Sequence, residues 1–254
     1  MAPLEEHVQQ NQPEGVPPLA LTGERTLPDV PAENYWFRRH LAVYEWIAER
    51  CAGLDVVDMA CGEGYGAGVL ARRAARVTGV DANPQAHEHA RLRYERPGVR
   101  FVLGLAESWS QPCDAVVFLQ TIEHVQDPQA VLDRLRSLVR PGGSVYVSTP
   151  NVLTLAPPGA AKSDNPWHLR EYRAREFREL CERSFDRVDL LGVFHARKLW
   201  AHELALRVGW DRLHRRLGIT ERFYDRFVPA ISSSDFALRE TNLDRALDFL
   251  AICR

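Results

Sequence analysis

Residues 56–81 read Val-Val-Asp-Met-Ala-Cys-Gly-Glu-Gly-Tyr-Gly-Ala-Gly-Val-Leu-Ala-Arg-Arg-Ala-Ala-Arg-Val-Thr-Gly-Val-Asp. An apolar run, a glycine-rich turn, a helix-length stretch and a second apolar run ending on a carboxylate make one strand–helix–strand unit. Such a unit holds a nucleoside at the carboxyl ends of two parallel strands. The alternation continues downstream. The pattern predicts strands over 55–59, 76–80, 99–104, 115–120, 144–148 and 187–193, and a last one over 247–253. Helices are expected over 65–75, 84–94, 128–139 and 173–184, with Pro84 suited to a first turn and Pro141-Gly142-Gly143 stopping the third. Upstream, residues 33–52 carry apolar groups at helical spacing. This is the pattern of an α/β chain with a Rossmann-like, doubly wound and mostly parallel sheet. Residues 1–20, rich in Pro, Gln and Glu, read as a disordered lead, leaving 21–254 as the folded domain. Within it, 197–233 reads as an aromatic-rich helical cap inserted before the final strand, over the strand ends where ligands bind.

Charge selects the nucleoside. Gly62, Gly64 and Ala67 meet the spacing of a dinucleotide fingerprint, so NAD is the first candidate. Asp58 ends the first strand, however, and Glu63 sits inside the turn, with no basic residue among them. Two carboxylates would repel a pyrophosphate. S-adenosylmethionine (SAM) brings a sulfonium, an ammonium and a ribose diol, which acidic groups suit. Asp81, at the end of the second strand, is placed to accept both ribose hydroxyls. The reading is a methyl-donor site, with S-adenosylhomocysteine as its product.

Bulk properties narrow the partners. The chain has 254 residues, 45% hydrophobic and 26% charged, with a formal charge of −2. Near-neutral charge gives no general pull toward nucleic acid or anionic membrane. The five cysteines form no C-x-x-C pair, so neither a disulfide framework nor a zinc site is indicated. No apolar run approaches the ~18 residues of a membrane span, and the first residues lack a signal-peptide pattern. A cytoplasmic location is expected, and a homo-oligomer stays open.

The chemistry is expected at the end of the fourth strand, Phe118-Leu119-Gln120-Thr121-Ile122-Glu123-His124. Methyl transfer to a hydroxyl needs an aligned nucleophile and a group to take its proton. A histidine does this near neutral pH, which makes His124 the candidate base. Glu123 either orients it or joins it in holding a divalent ion that lowers the hydroxyl pKa. A second cluster, Asn165-Pro166-Trp167-His168-Leu169-Arg170-Glu171-Tyr172, mixes aromatic faces with planar polar groups, as a sugar ring requires. His168 is then a substrate ligand or the alternative base. The candidate donor-binding set comprises Asp58, Ala60, Gly62 and Gly64 in the first turn, then Asp81 and Ala82. It adds Ala106 and Glu107 at the adenine edge and Leu119 and Gln120 beside the catalytic pair. Trp36 and Arg39 complete it from the leading segment, with arginine meeting the donor carboxylate as a bidentate pair.

Together these residues resemble the class I SAM-dependent methyltransferases over roughly 21–195, and the last strand belongs to that fold as well. More narrowly, Leu-Thr-Gly-Glu-Arg-Thr-Leu-Pro-Asp at 21–29, Glu-Asn-Tyr-Trp-Phe-Arg-Arg-His at 33–40, Ile-Glu-His-Val and Ser-Thr-Pro-Asn are similar to a glycan-associated branch. That branch includes the actinobacterial methyltransferases associated with methylglucose lipopolysaccharide. The resemblance implies a seven-stranded sheet with its last strand antiparallel, and donor contacts at Gly62, Gly64 and Asp81. It further implies His124 near the acceptor and a carbohydrate or glycolipid substrate. A phenol, quinone or carboxylate acceptor, or an idle SAM-binding scaffold, are the alternatives. Ubiquinone-pathway relatives that bind a metal carry an acid three residues before the Glu-His pair. This chain has Gln120 there, a weaker ligand for a hard cation.

Overall fold

The computed structural model describes residues 9–21, 25–157 and 159–254. The string 22–24, which carries part of the glycan-branch resemblance, lies outside them. Eight strands form one sheet: β1 (Asp55–Met59), β2 (Arg76–Asp81), β3 (Val99–Leu103), β4 (Cys113–Leu119), β5 (Val139–Pro150), β6 (Val188–His195), β7 (Phe236–Arg239) and β8 (Asp248–Cys253). Their order is β3-β2-β1-β4-β5-β8-β6-β7. Strands β3, β2, β1, β4 and β5 are parallel, and β8 inserts antiparallel between β5 and β6. The expectation of seven strands is corrected by one: β7 adds antiparallel to β6 at the edge.

Period-two alternation sorts each strand into two layers. Val56, Val117, Tyr146, Leu250 and Ile252 face one core. It is shared with α1 (Asn34–Ala48), α2 (Tyr65–Leu70) and α3 (Pro84–Tyr94) through Leu41, Tyr44, Ile47, Leu70 and Ala90. Their neighbours Val57, Val116, Val145, Phe249 and Ala251 face the other core, closed by α4 (Pro128–Leu138) and α6 (Ala174–Glu182) through Leu132, Leu135 and Phe177. Between β5 and α6 lies the single turn α5 (Val152–Leu155). Local chemistry sets the helix starts. The Asn83 side chain accepts from the amides of Gln85 and Ala86 ahead of Pro84, and Asp127 accepts from Ala130 ahead of Pro128.

The strand order reverses between β1 and β4, and a crevice opens at the carboxyl ends there. Two further segments differ from expectation. Of the expected disordered lead, residues 1–8 lie outside the described residues, and from residue 9 onward the lead is packed. The Gln9 amide donates to Glu63 Oε1 at 3.0 Å, its oxygen accepts from the Leu19 amide, and Leu19, Leu27 and Val30 form a small core. A few apolar side chains and one amide anchor what composition alone reads as solvated chain. Residues 197–227 are helical, as α7 (Arg197–Arg207), α8 (Trp210–Arg216) and α9 (Thr220–Phe227), joined by an aromatic cluster around His202 and Phe223. They enter between β6 and β7, and none of their residues lines the crevice.

Candidate active site

The crevice is a cavity of about 730 Å3. Its floor is the two strand ends at the reversal point, where Ala60 (φ 57°) and Gln120 (φ 50°) both take the left-handed conformation. Non-glycine residues held there store strain, and such residues gather at ligand sites. Ala60, Gly62, Asp81, Ala82, Leu119, Gln120, Trp36, Arg39, Glu123, His124 and His168 all line this one cavity. Gly62 has φ 54°, and a Cβ built on it meets nothing within 4 Å, so its backbone faces open space that a ligand can approach. Asp81 Oδ2 accepts the Gly62 amide at 2.7 Å and Oδ1 the Asn83 amide at 2.9 Å. These bonds fix the carboxylate at the cavity wall. A backbone cradle beside an oriented carboxylate fits a nucleoside with a ribose diol.

Four expected donor contacts sit elsewhere. Gly64 does not line the cavity: a Cβ there would come within 2.7 Å of Ala90 Cβ, so this glycine lets α2 pack on α3. Ala106 and Glu107 form a one-turn 3-10 helix outside the cavity wall. Asp58 is fully buried beneath the cavity, accepting from the Tyr44 hydroxyl at 3.1 Å. Burial pushes its carboxyl up to about 7, and Oδ2 has no hydrogen-bond partner among the described residues.

Glu63 also departs from expectation. Its side chain is enclosed, taking hydrogen bonds from Arg93 at 2.9 Å and Tyr94 at 3.0 Å, with His89 Nε2 at 3.0 Å. Its charge is therefore spent on holding α3 and the lead, not on the ligand. The electrostatic case for a cationic ligand reduces to Asp81 at the surface, with Asp58 below. The arginine expected at the donor carboxylate is likewise committed. Arg39 Nε and Nη2 form a bidentate pair with Asp248 at the start of β8, and Nη2 also donates to the Leu247 carbonyl at 2.7 Å. Arg39 and Asp248 are both buried, and each neutralises the other.

Glu123, His124 and His168 converge as the sequence suggests. Their ligating atoms lie within 4.8 Å of one another, and the two imidazoles meet edge to face at 5.0 Å. His124 Nδ1 donates to the Trp167 carbonyl at 2.9 Å, which places the lone pair on Nε2, 4.0 Å from Glu123 Oε1. Glu123 is buried, and burial pushes its carboxyl up to about 8 against a hydrogen bond from the Thr149 hydroxyl. Its backbone carbonyl accepts the amides of Leu169 and Arg170, pinning the 165–170 loop to the catalytic turn. His168 Nδ1 donates to Glu171 at 2.7 Å, and Nε2 accepts from the Asn165 amide at 3.0 Å. Burial alone would raise Glu171, but hydrogen bonds from Ser163 and His168 outweigh it and hold the carboxyl below its usual range.

This donor set fits a divalent ion poorly. Glu123 favours its neutral form, the His168 Nε2 lone pair is taken by Asn165, and Gln120 replaces the acid a hard cation would prefer.

Sequence reasoning missed Asp248, Tyr44, Thr26 and His40, which also line the cavity. Burial pushes His40 down to about 4, so it is neutral at pH 7. Asp248 had a signal: it is the one carboxylate opening an otherwise apolar strand.

Comparison with known proteins agrees with this geometry. A family described as a methyltransferase domain matches residues 32–199. The chain is 41% identical over 246 residues to a probable S-adenosylmethionine-dependent methyltransferase of Mycolicibacterium smegmatis, covering 92% of this chain and 94% of that one. A probable methyltransferase of the same kind from Mycobacterium tuberculosis is 36% identical, with 92% and 89% covered. A ubiquinone biosynthesis O-methyltransferase of Aeromonas salmonicida is 37% identical over 116 residues, 42% of this chain and 49% of that one. Among solved structures, a SAM-dependent methyltransferase of Thermotoga maritima has the same fold, with a TM-score of 0.58 at 16% identity over 87% of this chain and 93% of that one.

Proposed function

The chain belongs to the SAM-dependent methyltransferases, with SAM as its cofactor, and we propose that it methylates a sugar hydroxyl of an oligosaccharide or polysaccharide precursor in the cytoplasm. One observation carries the sugar. Trp167 lines the cleft yet keeps 46% of its surface exposed, in company with the planar amides of Gln120 and Asn165. A bare aromatic face beside planar hydrogen-bonding groups suits a pyranose, whose C–H faces stack and whose hydroxyls bond.

SAM supplies a methyl group on a cationic sulfur, already activated for displacement. The protein's part is alignment and proton transfer. The acceptor oxygen bonds the methyl carbon as the carbon–sulfur bond breaks, and the hydroxyl proton passes to His124 Nε2. The resulting imidazolium keeps its Nδ1–H on the Trp167 carbonyl. Glu123, neutral near pH 7, holds the loop that carries Trp167 and His168, and His168, bonded to Glu171 and Asn165, fixes the shape of that loop beside His124. Asp81 takes the ribose hydroxyls. The backbone of Ala60, Gly62, Ala82, Leu119 and Gln120 forms the cradle, and Trp36 covers the methionine end. In this reading the helices over 197–227 act on the acceptor from beside the cleft, not as a roof on the donor.

A flat phenol or quinone acceptor is the second reading, favoured by the partial similarity to the ubiquinone enzyme. Incubation with methyl-labelled SAM and a panel of saccharides, phenols and carboxylic acids tests the two. Label on saccharides supports the proposal. Label confined to phenols or acids, or donor binding with no transfer at all, overturns it.

A further inference from the structure

A second cavity, of about 710 Å3, adjoins the cleft at the same end of the sheet. The Leu247 carbonyl stands between them. Arg39, in the cleft, donates to the Leu247 carbonyl at 2.7 Å, and Thr154, in the second cavity, reaches the same oxygen at 3.4 Å. Pro150 and Leu155 face the cleft, whereas Leu153 and Thr154 face its neighbour, so the ridge is the single turn α5. Four helical residues span only about 6 Å.

The second cavity has its own chemistry. Trp200 on α7 lines it with 57% of its surface exposed. The Arg239 guanidinium lies 5.6 Å from the centre of the Phe194 ring, and among the described residues neither Arg239 nor Arg245 pairs with a carboxylate. Asn242 adds a planar amide, held in the left-handed conformation at φ 58°. Methyl transfer in the cleft uses none of these groups. An indole left bare among planar donors repeats, one ridge away, the arrangement of the acceptor half of the cleft.

We infer that this cavity is an acceptor subsite for the sugar units that follow the one being methylated. The chain leaves the cleft across α5, stacks on Trp200 and bonds through its hydroxyls to Arg239, Asn242 and Arg245. The inference rests on the sugar reading. It also gives the α7–α9 insertion a function: presenting Trp200 to a long acceptor. The enzyme then measures chain length by binding, not by chemistry.

The test uses maltose and maltooctaose as short and long acceptors, with wild type, Trp200→Ala and Arg239→Gln. In wild type the octasaccharide has the lower KM. Trp200→Ala raises that KM on the order of tenfold, as loss of a central aromatic contact does. It leaves the maltose KM and both kcat values within about twofold, and Arg239→Gln does the same to a smaller degree. Trp200 is exposed, so an unchanged thermal midpoint shows the fold intact. Equal KM values for the two sugars in wild type, or a Trp200→Ala effect alike on both, overturns the subsite while methylation of either sugar leaves the sugar reading standing. Label on neither sugar, with phenols labelled, overturns both.

Discussion

Glutamine in place of Glu123 probes how the centre of the site is held together, and its effect should depend on pH. The wild-type carboxyl is buried and titrates at about 8, against an ordinary 4.5, because burial penalises its charge and nearby Asp248 and Glu171 add to that. Between those two values the folded protein keeps a proton that the unfolded chain releases. Stability conferred by the neutral acid is therefore complete below about pH 4.5, falls as pH rises, and is lost above about pH 8. At 1.36 kcal/mol per pKa unit, the drop from pH 6 to pH 9 is about 2–3 kcal/mol. Glutamine is close to isosteric with the neutral acid, can still accept from Thr149, and leaves the backbone bonds to Leu169 and Arg170 in place. Guanidinium unfolding at pH 6, 7.5 and 9 should show a Glu123→Gln advantage that widens by about 2–3 kcal/mol from pH 6 to pH 9, with parity only near pH 4.5 and below. Parallel stability curves across that range would refute the argument, because they would mean that Glu123 is ionised and paired in the folded protein.

Three further outcomes follow from the same geometry. Asp248→Ala leaves Arg39 buried without its partner and should cost about 3–5 kcal/mol in chemical denaturation; a loss under about 1 kcal/mol would mean water reaches the guanidinium. Ala60→Gly removes the left-handed penalty of about 1–2 kcal/mol, offset by about 0.5–1 kcal/mol of glycine chain entropy. The thermal midpoint should rise by about 2 °C, and a fall contradicts the strain. His124→Ala should lower kcat by about 10²–10⁴ while SAM affinity by calorimetry stays the same, and full turnover would remove His124 from the mechanism.

The strands and α4 were legible in the sequence because their alternation is local: each residue's layer follows from its parity. So was the convergence of Glu123, His124 and His168, since the ends of β4 and β5 share one crevice edge. What failed to read is tertiary. The eighth strand, β7, is four residues long, too short to show a period, and is a strand only through β6. Arg39 does make a bidentate carboxylate pair, but with Asp248, 209 residues away, rather than with a ligand. Glu63 looks like a ligand-facing acid until Arg93 and His89, thirty and twenty-six residues later, are seen to enclose it. Gly64 satisfies a binding fingerprint but serves packing, a distinction that spacing cannot draw. The insertion was legible as helix, but the cavity it borders was not, because its direction depends on contacts from Asn34 and Tyr35 to the far end of the chain.

The central claim is that the cleft at the ends of β1, β2 and β4 holds the methyl donor with its sulfur turned toward His124. A crystal structure with S-adenosylhomocysteine tests this most directly. The account predicts both ribose hydroxyls on Asp81, the backbone of Gly62 against the nucleoside, and the sulfur in the half of the cavity that contains His124 Nε2. Density for the nucleoside outside this cleft, or a sulfur facing away from His124 with Asp81 untouched, would contradict it.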